Sequence, residues 1–452
     1  RVSPKVLRRS IFGAATLLLI SAVSPATADP DAGAYLAARQ AGEANNFLEA
    51  SRYFTKGLIA DPSNAYLLEN AMISWVALGQ LDRALPVAQS MADLEYDSQI
   101  AHLTLNAVAA KSGDWAAILN AIETGRSVGP LVDGVTRAWA YLGQGDMTRA
   151  MQSFDQVINA EAMMIYGLTH KAYALASFGD FEGAEAIFAN ANPGGMRYSR
   201  QSAIAHAQVL SQLGRNDDAL RILDLVFGAR PDAAVITLRE QIDAGEAVAY
   251  DAVRTPEQGI ADLLHVIAGL VKGDAPDRFT LMYARAAMYL WPENTAAVLT
   301  TASLLEDMEQ FDLANNVYTA VPTTDPSFAS AELGRAEVLR EAGRKDAAIE
   351  VLEGLTRSHA DMPEVFATKG DTLRQAERYQ EAVTTYSKAL ELYAQDHSSR
   401  WFVHYTRGIS RHKLDQWPSA EADFRAALAL RPAHPQILNY LGYSLVARGE
   451  KL

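Results

Sequence analysis

Cysteine is absent from this chain of 452 residues. That excludes disulfides, thiolate metal sites, cysteine nucleophiles and any cysteine-borne lipid anchor. Positive charge is also in deficit: 40 Lys and Arg stand against 54 Asp and Glu, a formal charge of −14. Arg1, Lys5, Arg8 and Arg9 fall in the first 28 positions, which hold no acid, so the remainder carries 36 basic and 54 acidic side chains, a balance of −18. An acidic body repels phosphate backbones and no local basic patch offsets it, so nucleic acid is not expected as a partner. There is no Gly-x-x-x-x-Gly-Lys-Ser/Thr loop to cradle phosphates and no His-Glu-x-x-His spacing to hold a metal. Sustained alternation of apolar and polar residues is missing too, so sheets are not expected.

What is present begins with a basic stretch, Arg1 to Arg9, an apolar run from Ile11 to Val23, and the small residues Ala26-Thr27-Ala28. This order is that of a secretory signal, and the run is short for a membrane span. Residues 1–28 are therefore expected to be a cleaved signal peptide. The mature chain would start at Asp29-Pro30 in the periplasm, with no stable membrane insertion afterwards. Apolar residues make up 49% of the chain, enough for a folded protein rather than a disordered one.

The informative pattern is periodic. Tyr379, Ala382, Tyr386 and Ala389 recur as Trp417, Ala420, Phe424 and Ala427, with Pro432 close behind. Similar helix pairs, turning at Gly79, Gly113, Gly145, Gly179 and Gly214, fill residues 31–233. The beat slips over 234–258, an irregular connector. It resumes over 259–452 with a degenerate pair (Ile260 to Pro292), then regular units opening at Thr295, Ala329, Pro363, Trp401 and Pro435. Small residues such as Gly370 and Ala382, or Gly408 and Ala420, are expected where the two helices of a unit touch, and proline after the second helix ends the unit.

These phased residues resemble the tetratricopeptide repeat proteins. The resemblance implies an all-α, right-handed superhelical solenoid of antiparallel helix pairs, the first (A) helix of each lining a concave groove. It also implies that positions two, five, nine and twelve of helix A face that groove. Carried onto this chain, they are Glu364, Ala367, Asp371 and Arg374 in one unit and Phe402, Tyr405, Ile409 and His412 in the next. In the last unit they are Gln436, Asn439, Tyr443 and Val446. Exposed aromatics beside amides and charges suit an extended peptide. Phe402 and Tyr405 could equally pack against a neighbouring unit.

No catalytic, cofactor or metal residue is assigned, and the chain is not expected to be an enzyme. Gly442-Tyr443-Ser444-Leu445-Val446 lacks the second glycine of a nucleophile elbow and lies in a helical pattern. His397, His404, His412 and His434 cluster in sequence without ligand spacing. The function expected is a non-enzymatic scaffold or adaptor of the bacterial envelope that binds other envelope proteins or peptides. The alternative is a regulatory array attached to an enzymatic domain beyond Leu452, where the last repeat is cut. Self-association through that end is a third reading.

Overall fold

The computed structural model describes residues 30–190, 198–228 and 231–449; the signal-peptide reading of residues 1–28 falls outside them. Among the described residues there is no β-strand, and no helix is long and apolar enough to cross a membrane.

The chain forms an all-α solenoid of antiparallel helix pairs. The N-terminal half runs through α1 (Pro30–Glu43), α2 (Phe47–Ala60), α3 (Ala65–Ala77), α4 (Leu81–Asp93), α5 (Gln99–Ser112) and α6 (Trp115–Glu123). It continues with α7 (Pro130–Gly143), α8 (Met147–Ile158), α9 (Met164–Ser177), α10 (Phe181–Asn190), α11 (Arg200–Gln212), α12 (Asn216–Phe227) and α13 (Ala233–Asp243). After a non-helical stretch come α14 (Pro256–Val271) and α15 (Asp277–Leu290). The C-terminal half comprises α16 (Thr295–Asp307), α17 (Phe311–Tyr318), α18 (Phe328–Glu341), α19 (Lys345–Ser358), α20 (Pro363–Gln375), α21 (Tyr379–Leu392), α22 (Arg400–Lys413), α23 (Trp417–Leu430) and α24 (Pro435–Ala447).

Local chemistry sets these ends. The side chains of Asn46, Asn64, Ser98, Asp114, Asp146 and Asn294 each accept from a backbone N–H in the first turn of the helix that follows, satisfying a donor the helix leaves orphaned. At the turn between helices the backbone enters the left-handed region, as at Gly113 (φ +73°), where a glycine carries no Cβ penalty.

Close approach of the two helices in a unit depends on a glycine midway along helix A. A Cβ on Gly370 would lie 2.5 Å from the Tyr386 ring and one on Gly408 2.8 Å from Phe424; between units, one on Gly334 of α18 would lie 2.6 Å from Tyr318 of the preceding α17. The second-helix aromatics therefore slide under the first helix, and Tyr386, Phe424, Ala382 and Ala420 are wholly buried.

The pair α14–α15 departs from simple stacking. Its helices pack together, but α15 also lies on α3 and α5, and α14 lies on α5, α7 and α9. Those partners are the A helices of the N-terminal half, which form its inner layer. Eight consecutive residues of α15, Thr280 to Ala287, are buried, as are six of α14, Gly259 to Leu264. Helices buried on every side lie inside a fold rather than on its rim. The N-terminal half is thus wound round this hairpin as its axis. At the closest approach, a Cβ on Gly259 would stand 2.1 Å from the Trp139 indole.

Candidate functional site

In a helix-pair solenoid the concave face is the natural working surface, and here its two halves differ. In the N-terminal half the hairpin fills it. Arg285 Nε donates to the Ala77 carbonyl at 2.8 Å, the Tyr289 hydroxyl donates to Asp82 Oδ1 at 2.8 Å, and Lys111 Nζ reaches the Leu290 carbonyl at 3.3 Å. Ile260, Leu263, Leu264, Leu281, Met282, Tyr283 and Leu290 are each at most 3% exposed. At about 2 kcal/mol per large apolar side chain, their burial is worth on the order of 14 kcal/mol before polar costs. A competing peptide would have to replace that much merely to enter, which is the whole free energy of a nanomolar-to-picomolar complex. Burial also holds the Arg285 guanidinium down to about 10 without deionising it at neutral pH.

Among the described residues the C-terminal half has no such filling, and its A helices α18, α20 and α22 meet one another along one layer. Asp371 and Arg374 of α20 are brought together there. Beneath Gly370, Tyr386 of α21 reaches up so that its hydroxyl donates to Asp371 Oδ1 at 2.6 Å and accepts from Arg374 Nε at 3.2 Å. Burial pushes the Asp371 carboxyl above the ordinary value, and the Tyr386 hydrogen bond and Arg374 charge reduce that rise without cancelling it. One repeat earlier the same two positions hold Glu337 and Arg340, which are paired, with Arg340 also 2.7 Å from Glu341. Farther back, the Tyr318 hydroxyl donates to Glu306 of the same unit at 3.3 Å, its ring lying against Gly334 of the unit that follows. The face therefore carries a ladder of acids, each backed by a base or a tyrosine.

The remaining predicted groove residues divide by exposure. Tyr443 is 77% exposed, Phe402 40% and Val446 64%, and Asn439 is exposed beside them. Phe402 stands edge-on to Trp401, ring centroids 5.6 Å apart. Tyr405 and Ile409 are half-buried, and Tyr405 packs on Phe424 and Tyr440, each at 6.1 Å. His412 is also half-buried, its Nδ1 3.1 Å from the Tyr440 hydroxyl and its ring edge-on to Trp417. His404, on the same helix, turns away to the buried Asp423, which also binds Arg407 and Arg411. Burial acts to raise the Asp423 carboxyl, but its hydrogen bonds from His404 and Arg407 and the arginine charges outweigh burial and hold it low.

The sequence pattern marks Tyr386 and Tyr318 only as aromatics of the second helix and so misses that their buried hydroxyls hold Asp371, Arg374 and Glu306, and that Tyr440 covers Tyr405 and His412. The signal was tyrosine in place of phenylalanine at a position wholly under a glycine. It also missed a strap on α11. There the Ser211 hydroxyl donates to the Glu246 carbonyl at 3.3 Å, and Gln212 Nε2 donates to that of Val248 at 2.6 Å. Gln208 Oε1 accepts from the Asp251 and Ala252 N–H groups at 3.1 and 3.0 Å, and Gln201 Nε2 donates to the Ala252 carbonyl. Residues 201, 208 and 211–212 share one face of the helix. They hold a non-helical segment of the same chain by its backbone.

The Tetratricopeptide repeat family profile matches residues 299–363, 339–397 and 405–451, and related profiles of that name match residues 136–160 and 201–224. The chain carries tetratricopeptide repeats. Relatives bear the same name. The chain is 38% identical over 112 residues to Tetratricopeptide repeat protein 36 homolog of Drosophila melanogaster, covering 24% of this chain and 60% of the fly protein. It is 27% identical over 158 residues to TPR repeat-containing protein PA4667 of Pseudomonas aeruginosa, covering 34% of this chain and 25% of that protein. The chain thus spans well short of the full length of both relatives. Among solved structures, YrrB, described as a TPR protein with an unusual peptide-binding site, is 16% identical with a TM-score of 0.33, over 41% of this chain and 90% of its own. The Cut9–Hcn1 assembly is 14% identical with a TM-score of 0.36, over 93% and 91%.

Proposed function

We propose that this tetratricopeptide-repeat chain is a non-enzymatic interaction scaffold of the bacterial cell envelope. It is periplasmic after export and takes an extended polypeptide segment along the concave face of its C-terminal half. The single observation that carries the peptide reading is the strap on α11. An A helix there already holds non-helical backbone through side-chain amides and a hydroxyl that both donate and accept along one face. Asn439, Arg374 and Asp371 offer the same kind of group on the open half, and Tyr443 and Phe402 add exposed ring area, the residue types that anchor interfaces. The filled inner face of the N-terminal half directs partners to the C-terminal one. The basic-apolar-small order of residues 1–28 supports export.

The test is a photo-crosslinking amino acid placed at Tyr443, at Asn439, or at Asn106 on the filled inner face. Captured partners are then identified by mass spectrometry from an envelope preparation and from a whole-cell extract. The reading expects one envelope partner captured from positions 443 and 439 and none from 106. Capture at 106 alone, or of cytosolic proteins alone, would overturn it.

A further inference from the structure

Where α11, α14 and the start of α16 meet, a cavity of about 250 Å³ opens beside a larger cleft of about 650 Å³ that shares Arg200, Gln201 and Ala296 with it. One wall of the smaller cavity is a face of α14: Asp262, His265, Val266, Gly269 and Leu270. Asp262 is 1% exposed, and among the described residues its Oδ1 has no hydrogen-bond partner. An ionised carboxylate in that position is costly unless something donates to it.

The other polar groups of the wall are committed. Arg200 donates from Nε and Nη2 to Asp232 at 2.6 and 3.0 Å. His265 Nε2 lies 3.0 Å from the Thr300 hydroxyl. Burial, and then the Arg200 charge, push His265 down to about 4, so it is neutral at physiological pH. Ser199 Oγ accepts from the Ser202 N–H at 3.1 Å, and Gln201 Nε2 donates to the Ala252 carbonyl. The unanswered group is a carboxyl, and the rest of the lining is apolar: Val266, Leu270 and Ala296. Gly269 adds room, because a Cβ built there meets no heavy atom within 4 Å.

We propose that this cavity binds an aliphatic primary ammonium, the charge seated on Asp262 and the methylene stem lying along Val266, Gly269, Leu270 and Ala296. A divalent metal would need several oxygen ligands where one carboxylate is on offer. A guanidinium is a broad planar fork, whereas a compact ammonium on a flexible apolar stem suits a buried acid at the end of a small apolar slot. The chemistry is that of a lysine side chain or of a free alkyl amine. The larger cleft alongside gives a polypeptide bearing such a lysine somewhere to lie. The site is distinct from the C-terminal groove and does not depend on it.

Isothermal titration of the intact protein at pH 8 with 1-aminopentane, with Nα-acetyl-lysine N-methylamide and with 1-pentanol tests this. Saturable binding is expected for one or both ammonium compounds and not for the alcohol. Affinity should fall about tenfold or more in Asp262→Asn, as loss of a charge-assisted bond requires. It should also be lost in Gly269→Leu, which fills the slot while leaving the carboxyl in place. Circular dichroism melting establishes that each variant is folded. The proposal is overturned if neither amine binds the parent protein, if the alcohol binds as well as the amines, or if both variants bind like the parent. Tighter binding of the lysine amide assigns the site to a polypeptide side chain, and tighter binding of 1-aminopentane to a free amine. Photo-capture from position 443 should be unchanged in Asp262→Asn, so this inference and the groove reading fail separately.

Discussion

Replacing Asp262 with Asn should stabilise the protein at pH 8 by about 4 kcal/mol and much less in mild acid. Burial raises the Asp262 carboxyl from an ordinary 3.8 to about 7. A raised folded-state value means that the folded protein holds a proton the unfolded chain has released. Stability therefore falls as pH climbs from about 4 to about 7 and is flat above that. A shift of about three units at 1.36 kcal/mol each gives the figure of about 4 kcal/mol for the full penalty. At pH 5 only about one unit of that span has been crossed, so the difference between the two proteins should shrink to roughly 1–2 kcal/mol. The ionisable groups around this carboxyl are Tyr173 of α9, Tyr250 of the stretch before α14, Arg200 of α11 and His265 of α14 itself. Their contributions cancel when variant and parent are compared at the same pH. Urea unfolding followed by far-ultraviolet circular dichroism at pH 5, 6.5 and 8 is the assay. A stability difference that does not change with pH would refute the reasoning, because the carboxyl would then not be a buried, unpartnered acid.

Gly259→Ala puts a methyl where the Trp139 indole stands 2.1 Å away, and should lower stability by about 1–3 kcal/mol through overpacking between the hairpin and α7; a melting temperature equal to the parent's would contradict that contact. Tyr386→Phe removes the hydroxyl that serves Asp371 and Arg374 but keeps the ring, and should cost about 1–2 kcal/mol in urea unfolding. Tyr443→Ala, at a side chain 77% exposed, should leave stability within about 0.5 kcal/mol of the parent while reducing partner capture. Tyr405→Ala should instead lower both, since that ring packs on Phe424 and Tyr440.

The helix pairing was legible in the sequence because a wholly buried aromatic must meet a small residue at each crossing. Gly370 with Tyr386 and Gly408 with Phe424 recur for that reason. The place of α14–α15 was not legible. Its residues pair as a degenerate repeat does, and only its burial on all sides separates an internal axis from a poorly kept unit. The clue available was the run Leu281-Met282-Tyr283-Ala284, which leaves no polar face on that turn. At the site, phase singled out Asp371, Arg374, Asn439 and Tyr443; the first two lie half-buried on α20 and the last two at the surface of α24. Phase could not say that Tyr405 and His412 would be half-covered by Tyr440, because that depends on how α24 sits on α22. Nor could it reveal the α11 strap, since a glutamine on an A helix looks the same whether it faces solvent or holds a backbone.

The N-terminal half packs its α3, α5, α7 and α9 around the α14–α15 hairpin, and the groove function proposed above rests on that arrangement. Because the chain contains no cysteine, the double variant Asp82→Cys/Tyr289→Cys offers two thiols with no background. These positions lie 207 residues apart in sequence, yet the native Tyr289 hydroxyl is 2.8 Å from Asp82. The account predicts a rapid cross-link within one chain on adding a short bismaleimide at low protein concentration, with unchanged helicity. Absence of that intramolecular cross-link in the folded protein would contradict the account.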